Sequence, residues 1–198
     1  MVDYLSSKRQ IDPGISIAYI YCNFRRKDEQ KIDALLASLL KQLAESQPSL
    51  PSTVKDLYDR YKTKRTRPFL EEISRALQAV TISCRVFIIV DALDECQISD
   101  GCRQRFLSSL FDLQTKCGAN LFATSRPISS IQKAFERNPM LEIRASEEDV
   151  RRYLDCHIFQ LPGFVARNLE LQEEIKSDIV KAIDGMYVVY FKYLTKLR

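Results

Sequence analysis

The chain has 198 residues, 45% of them hydrophobic, enough for one domain with a full core and a small appendage. Thirty basic and twenty-six acidic residues leave a net charge of +4, too mild a bias to signal a nucleic-acid binder. Six scattered cysteines, one histidine and no C-x-x-C pair argue against a zinc site, and no apolar run reaches the about 18–20 residues that span a bilayer. The expectation is a soluble, cytoplasmic protein with reduced thiols and neither a specific nucleic-acid partner nor a membrane one. Two basic clusters, Arg25-Arg26-Lys27 and Lys62 to Arg67, lack interleaved aromatics and read as solvated edges.

Short apolar runs alternate with helical periodicity, the pattern of an α/β protein with a parallel sheet. After a turn at Pro13-Gly14, Ile15 to Phe24 reads as a strand. Ile32, Leu35, Leu36, Leu39, Leu40 and Leu43 then form one wide helical stripe. Pro48 and Pro51 break it, and a shorter helix carries Val54, Leu57, Tyr58 and Tyr61. Thr66 reads as the N-cap of a helix with Pro68 in its first turn and Phe69, Ile73, Leu77 and Val80 along it. Val86 to Val90 is a strand. Phe106, Leu107, Leu110 and Phe111 mark a helix that Gly118 ends, and Asn120 to Thr124 is a third strand stopped by Ser125-Arg126-Pro127.

Met140 to Ile143 reads as a weak fourth strand. Ser146 and Asp149 resemble a capping box opening a helix with Val150, Tyr153, Leu154, His157 and Ile158 on one side. Leu161-Pro162-Gly163 interrupts, another helix runs to about Asp184, and Gly185 ends it. Met186, Val189, Tyr190, Tyr193, Leu194 and Leu197 suggest a final helix, whose tyrosines (Tyr187, Tyr190 and Tyr193) read as packing surface.

The chemistry concentrates in VFIIVDALDEC, residues 86–96. A continuous apolar strand belongs in the middle of a parallel sheet, and ligands bind beyond the carboxyl ends of such strands, where Asp91 emerges. A carboxylate there suits Mg²⁺, directly or through its water shell. Asp94 and Glu95 come within one turn of it, so three acids repel one another and favour a cation, and Glu95 suits orienting a water. The alternative is that these acids only favour the start of the next helix. Ser125 and Arg126 leave another strand at the same sheet edge, where an arginine can stabilise charge on a phosphoryl group. The alternative there is a surface arginine before a proline turn. His157, on the apolar side of its helix, reads as a satisfied core-edge histidine.

Together, VFIIVDALDEC, the later LFATSRP, IAYIYCNF and the IDALLASLLKQL helix resemble the NACHT domain of STAND-class signalling NTPases. They resemble more narrowly its nephrocystin-type N-terminal version, abundant in fungal receptor-like proteins. The resemblance implies an ASCE-type, three-layer P-loop NTPase sheet over residues 1–145 and a helical lid over 146–198 leading toward a winged-helix region. It implies Asp91 as the Walker B aspartate supporting Mg²⁺ through water, with Ser125 beside the nucleotide. Asp94 and Glu95 would lie near the γ-phosphate, and Arg126 would be the sensor arginine. ATP or GTP with Mg²⁺ would be the cofactors, and effector and repeat domains the route to protein partners.

Family members carry a phosphate-binding G-x-x-x-x-G-K-[ST] loop, yet none of Gly14, Gly101, Gly118, Gly163 and Gly185 precedes a lysine. The chain is therefore expected to lack the first strand and its cradle, and to bind nucleotide poorly or not at all. A gap or rearranged pairing is expected between the strand ending at Thr124 and the one at Met140–Ile143. Two other readings stay open: a non-catalytic interaction or scaffold module, and a metal-dependent hydrolase built on Asp91, Asp94 and Glu95 alone.

Overall fold

The computed structural model describes residues 2–12, 14–96, 99–144, 146–183 and 187–192. Two compact units divide the chain: Met1–Met140 with Tyr190–Arg198, and Leu141–Val189. The first opens with helix α1 (Val2–Ile11), strand β1 (Ile15–Tyr21) and helix α2 (Ile32–Glu45). It continues through α3 (Ser52–Lys64), α4 (Leu70–Ile82), β2 (Arg85–Asp91), α5 (Cys102–Cys117), β3 (Asn120–Ser125) and α6 (Ser129–Ala134).

β2 lies between β1 and β3 and runs parallel to both, pairing Tyr21 with Asp91 on one side and Val90 with Ala123 on the other. The α/β parallel sheet expected from the alternation is thus present, with the apolar run in its middle. Strand periodicity splits the side chains between two faces. Ile15, Ile17 and Ile89 pack with Leu5 of α1 on one face, beside Phe87 and Phe122. On the other, Ser16 meets Ser46 at the end of α2, Oγ to Oγ at 2.8 Å. α2 packs on β1 and α4, and α5 packs on α4 and β3. Leu36, Leu39, Leu43, Leu77, Phe106 and Leu110 close that side almost without solvent exposure.

β1 is an end strand of the sheet. Its Tyr19 backbone is taken up from the side by Gln42 of α2: the Tyr19 N–H donates to Oε1 at 3.0 Å, and Nε2 donates to the Tyr19 carbonyl at 2.9 Å. Gly118 ends α5 at φ +72, a left-handed conformation that glycine adopts without a Cβ penalty.

Three expectations are corrected. Thr66 is not a cap, because the residue before a proline avoids helical backbone; Arg67 therefore stays out of the helix and α4 starts at Leu70. Glu72 completes that start by accepting the Phe69 N–H at 3.1 Å. α6 is an added helix, too short for periodicity to reveal. The final helix is replaced by strand β5 (Tyr187–Lys192), in keeping with a run of valines and aromatics that favours extended backbone. β5, which from Tyr190 on belongs to the first unit, is the strand next to β3. Pro13, Gly185, Met186, Tyr193, Leu194 and Leu197 lie outside the described residues.

The second unit carries most of strand β4 (Met140–Arg144), then α7 (Glu147–His157), α8 (Gly163–Ala166) and α9 (Leu169–Ile183). Ser146 caps α7 as read from the sequence, its hydroxyl oxygen accepting the Asp149 N–H at 3.1 Å. Lys176 of α9 bridges to Asp155 of α7 at 2.6 Å.

Phe106 is fully buried where α5 packs, so Phe106→Ala should cost about 3–5 kcal/mol of unfolding free energy, read from urea midpoints. A loss under about 1 kcal/mol would show that this packing does not hold the unit together.

Candidate functional site

Beyond Asp91 the chain turns through Ala92 in the left-handed conformation, φ +52 and ψ +49, at a cost of roughly 1–2 kcal/mol for a residue with a Cβ. One hydroxyl holds this turn. Thr124 at the end of β3 accepts the Ala92 N–H at 2.8 Å and donates to Asp91 Oδ1 at 2.5 Å. The parallel register makes this possible, since Val90 opposite Ala123 brings the next residues of both strands to the same edge. Leu93, wholly buried, anchors the one-turn helix Leu93–Glu95.

Asp94 and Arg126, read separately from the sequence, form an ion pair. The Arg126 backbone N–H reaches Asp94 Oδ1 at 3.0 Å and its Nε reaches Oδ2 at 2.6 Å. The carboxylate side chain is 4% exposed while the arginine is 66% exposed, so the acid is buried under its partner. Burial by itself would raise the Asp94 pKa. The side-chain and backbone hydrogen bonds from Arg126 outweigh it and hold the carboxyl below its ordinary value. Glu95 Oε2 accepts the Phe24 N–H at 3.2 Å, which ties the turn to the exit of β1. Ser125 is buried and its hydroxyl donates to the Arg126 carbonyl at 2.7 Å.

Asp91, Asp94, Glu95, Ser125 and Arg126 therefore share one sheet edge, but the three acids do not converge. Asp94 is engaged by Arg126, Glu95 by Phe24 and Asp91 by Thr124. Among the described residues no group of three or more His, Cys, Asp or Glu side chains could hold a metal ion. With no G-x-x-x-x-G-K-[ST] segment in the sequence either, these residues do not fit a complete Mg²⁺–nucleotide site, and no catalytic step can be derived from them.

Sequence reasoning misses Thr124 and the Phe24 N–H. Thr124 is within its reach, because alternation places it on the Asp91 face while Ser125 points the other way in the strand period. His157 is a local element of the second unit. Its Nδ1 lies 2.8 Å from the Tyr153 carbonyl and its ring stacks on Tyr153 at 4.1 Å.

Two measurements check this geometry. Thr124→Val keeps the shape but leaves the Ala92 N–H unpaired, which should cost roughly 1–3 kcal/mol in urea unfolding. For Asp94, the folded pKa lies below the unfolded one. Its stabilisation is therefore present above the ordinary carboxylate range and lost as pH falls through the folded value. The stability gap between the native chain and Asp94→Asn should be full at neutral pH and close as acid is added; a gap independent of pH would overturn the ion pair's role.

No curated protein and no solved structure matches the chain significantly. The family model for the nephrocystin 3 N-terminal domain matches residues 1–126, which is more than half of the chain and includes β1, β2, β3 and all five site residues. The chain belongs to the nephrocystin 3 N-terminal family.

Proposed function

We propose that this chain is part of a NACHT/STAND-type nucleotide-dependent signalling switch, and that these 198 residues hold the cation and water side of its nucleotide site. One observation carries the reading. Asp91 with Thr124, and Asp94 with Arg126, join the carboxyl ends of two adjacent parallel strands, where α/β sheets bind ligands. Membership of the nephrocystin 3 N-terminal family agrees with it. In this reading Asp91 would be the residue turned toward a hydrated Mg²⁺, Glu95 would orient water, and Arg126 would meet phosphate charge. Binding of ATP or GTP would then bias the turn at Leu93–Glu95 between two arrangements, the usual basis of a nucleotide switch. The bound state is weak in these residues alone, because the backbone amides and lysine of a phosphate loop are not among them.

A specific observation favours the second reading, a non-catalytic interaction module. Both Asp94 and Glu95 already have protein partners, so the edge is satisfied without any ligand.

Titration with MgATP and MgGTP, monitored by calorimetry and amide chemical shifts, separates the outcomes. We expect affinity weaker than about 1 μM, with shifts confined to the exits of β2 and β3 and abolished by Asp91→Ala. Tighter binding would overturn the weakness of the site. An absence of shifts at that edge under saturating nucleotide would overturn the nucleotide reading and leave the interaction module.

A further inference from the structure

Helices α5 and α6 enclose a groove of about 650 Å³ that the nucleotide reading does not use. Its size falls within the roughly 300–1,000 Å³ of sites that hold drug-sized molecules. Leu107 and Ile131 are buried along it, and Phe111 meets Phe135 edge-on, ring centroids 5.2 Å apart. An apolar body entering the groove would therefore leave water for an apolar lining.

The charge in this groove is of one sign. Arg103 and Lys133 line it, and among the described residues no acidic side chain does. Arg103 spends two N–H groups on neutral acceptors, the Asp94 carbonyl at 3.4 Å and the Ser130 hydroxyl at 3.3 Å. Those bonds position the guanidinium without compensating its charge, and its other N–H groups remain for a ligand. The smaller hollow between α3 and α4, about 240 Å³, differs on this point. Asp56 and Glu72 line it beside Arg60 and Arg75, and Arg60 pairs with Glu72 at 2.9 Å. Of the two, the α5–α6 groove joins an apolar lining to positive charge with no acid beside it.

We propose that the α5–α6 groove binds a small amphipathic anion, an apolar body bearing a single acidic head group. The body seats against Leu107, Phe111 and Ile131, and the head group meets Arg103 and Lys133. Because Arg103 also holds the Asp94 carbonyl, occupancy of the groove reaches the Leu93–Glu95 turn through one side chain. The inference stands on the groove and its charge and does not depend on nucleotide binding.

Two fluorescent probes test it, anilinonaphthalene sulfonate and its uncharged parent phenylnaphthylamine, which share an apolar body and differ by one sulfonate. Each is titrated into the full chain without nucleotide, with fluorescence and amide chemical shifts followed together. The sulfonate should bind at least about tenfold more tightly than the parent, with shifts at Leu107, Ser108, Ile131 and Lys133. Lys133→Glu, at an exposed position, should weaken the sulfonate about tenfold and leave the parent unchanged. Ala134→Trp, which fills the groove from another exposed position, should weaken both. No binding, equal affinity for the two probes, or shifts confined to the exits of β2 and β3 or to the second unit would overturn the proposal. The two probes on the native sequence already decide between these outcomes, so a variant that fails to fold leaves the test intact.

Discussion

The edge of the sheet depends on a single hydroxyl. Thr124 takes the N–H of a residue held in the left-handed region and gives its proton to the carboxylate one position earlier. A threonine does this well because its branched Cβ restricts rotation, so the oxygen is held in place by the strand itself. The same contact offsets the cost of the Ala92 conformation and sets the orientation of Asp91. It also carries the β2–β3 register past the last paired residues.

Charges in the turn beyond Asp91 are kept apart by their partners. Three carboxylates within five residues would repel one another if they shared a space. The fold separates them by giving each its own partner, a hydroxyl, a guanidinium and a backbone N–H. The arginine partner matters most, since Asp94 is buried and a buried carboxylate without a counter-charge is strongly disfavoured. Arg126, by contrast, keeps most of its surface in solvent, so it can exchange partners at smaller cost than the acid it covers.

The central strand is legible in the sequence because Val86 to Val90 is continuously apolar, and a run of that kind has few homes outside a sheet interior. The stripe on α2 is legible for a similar reason: six leucines and isoleucines at helical spacing leave one face to bury. Asp91 and Arg126 can be placed at one edge from strand polarity alone. The pairing of Arg126 with Asp94 cannot, because two loops more than thirty residues apart set it. The C-terminal segment misleads because valine and tyrosine fit helical spacing and strand preference alike, and pairing beside β3 decides between them.

Gln42 has a consequence beyond the position of α2. An end strand with open N–H and C=O groups is a template on which another chain can add, and growth from such edges is how sheets aggregate. By supplying both an acceptor and a donor to Tyr19, the glutamine amide imitates the next strand for one residue and then stops. A side chain on a helix thus caps the sheet at one residue of an end strand that carries two exposed tyrosines, Tyr19 and Tyr21.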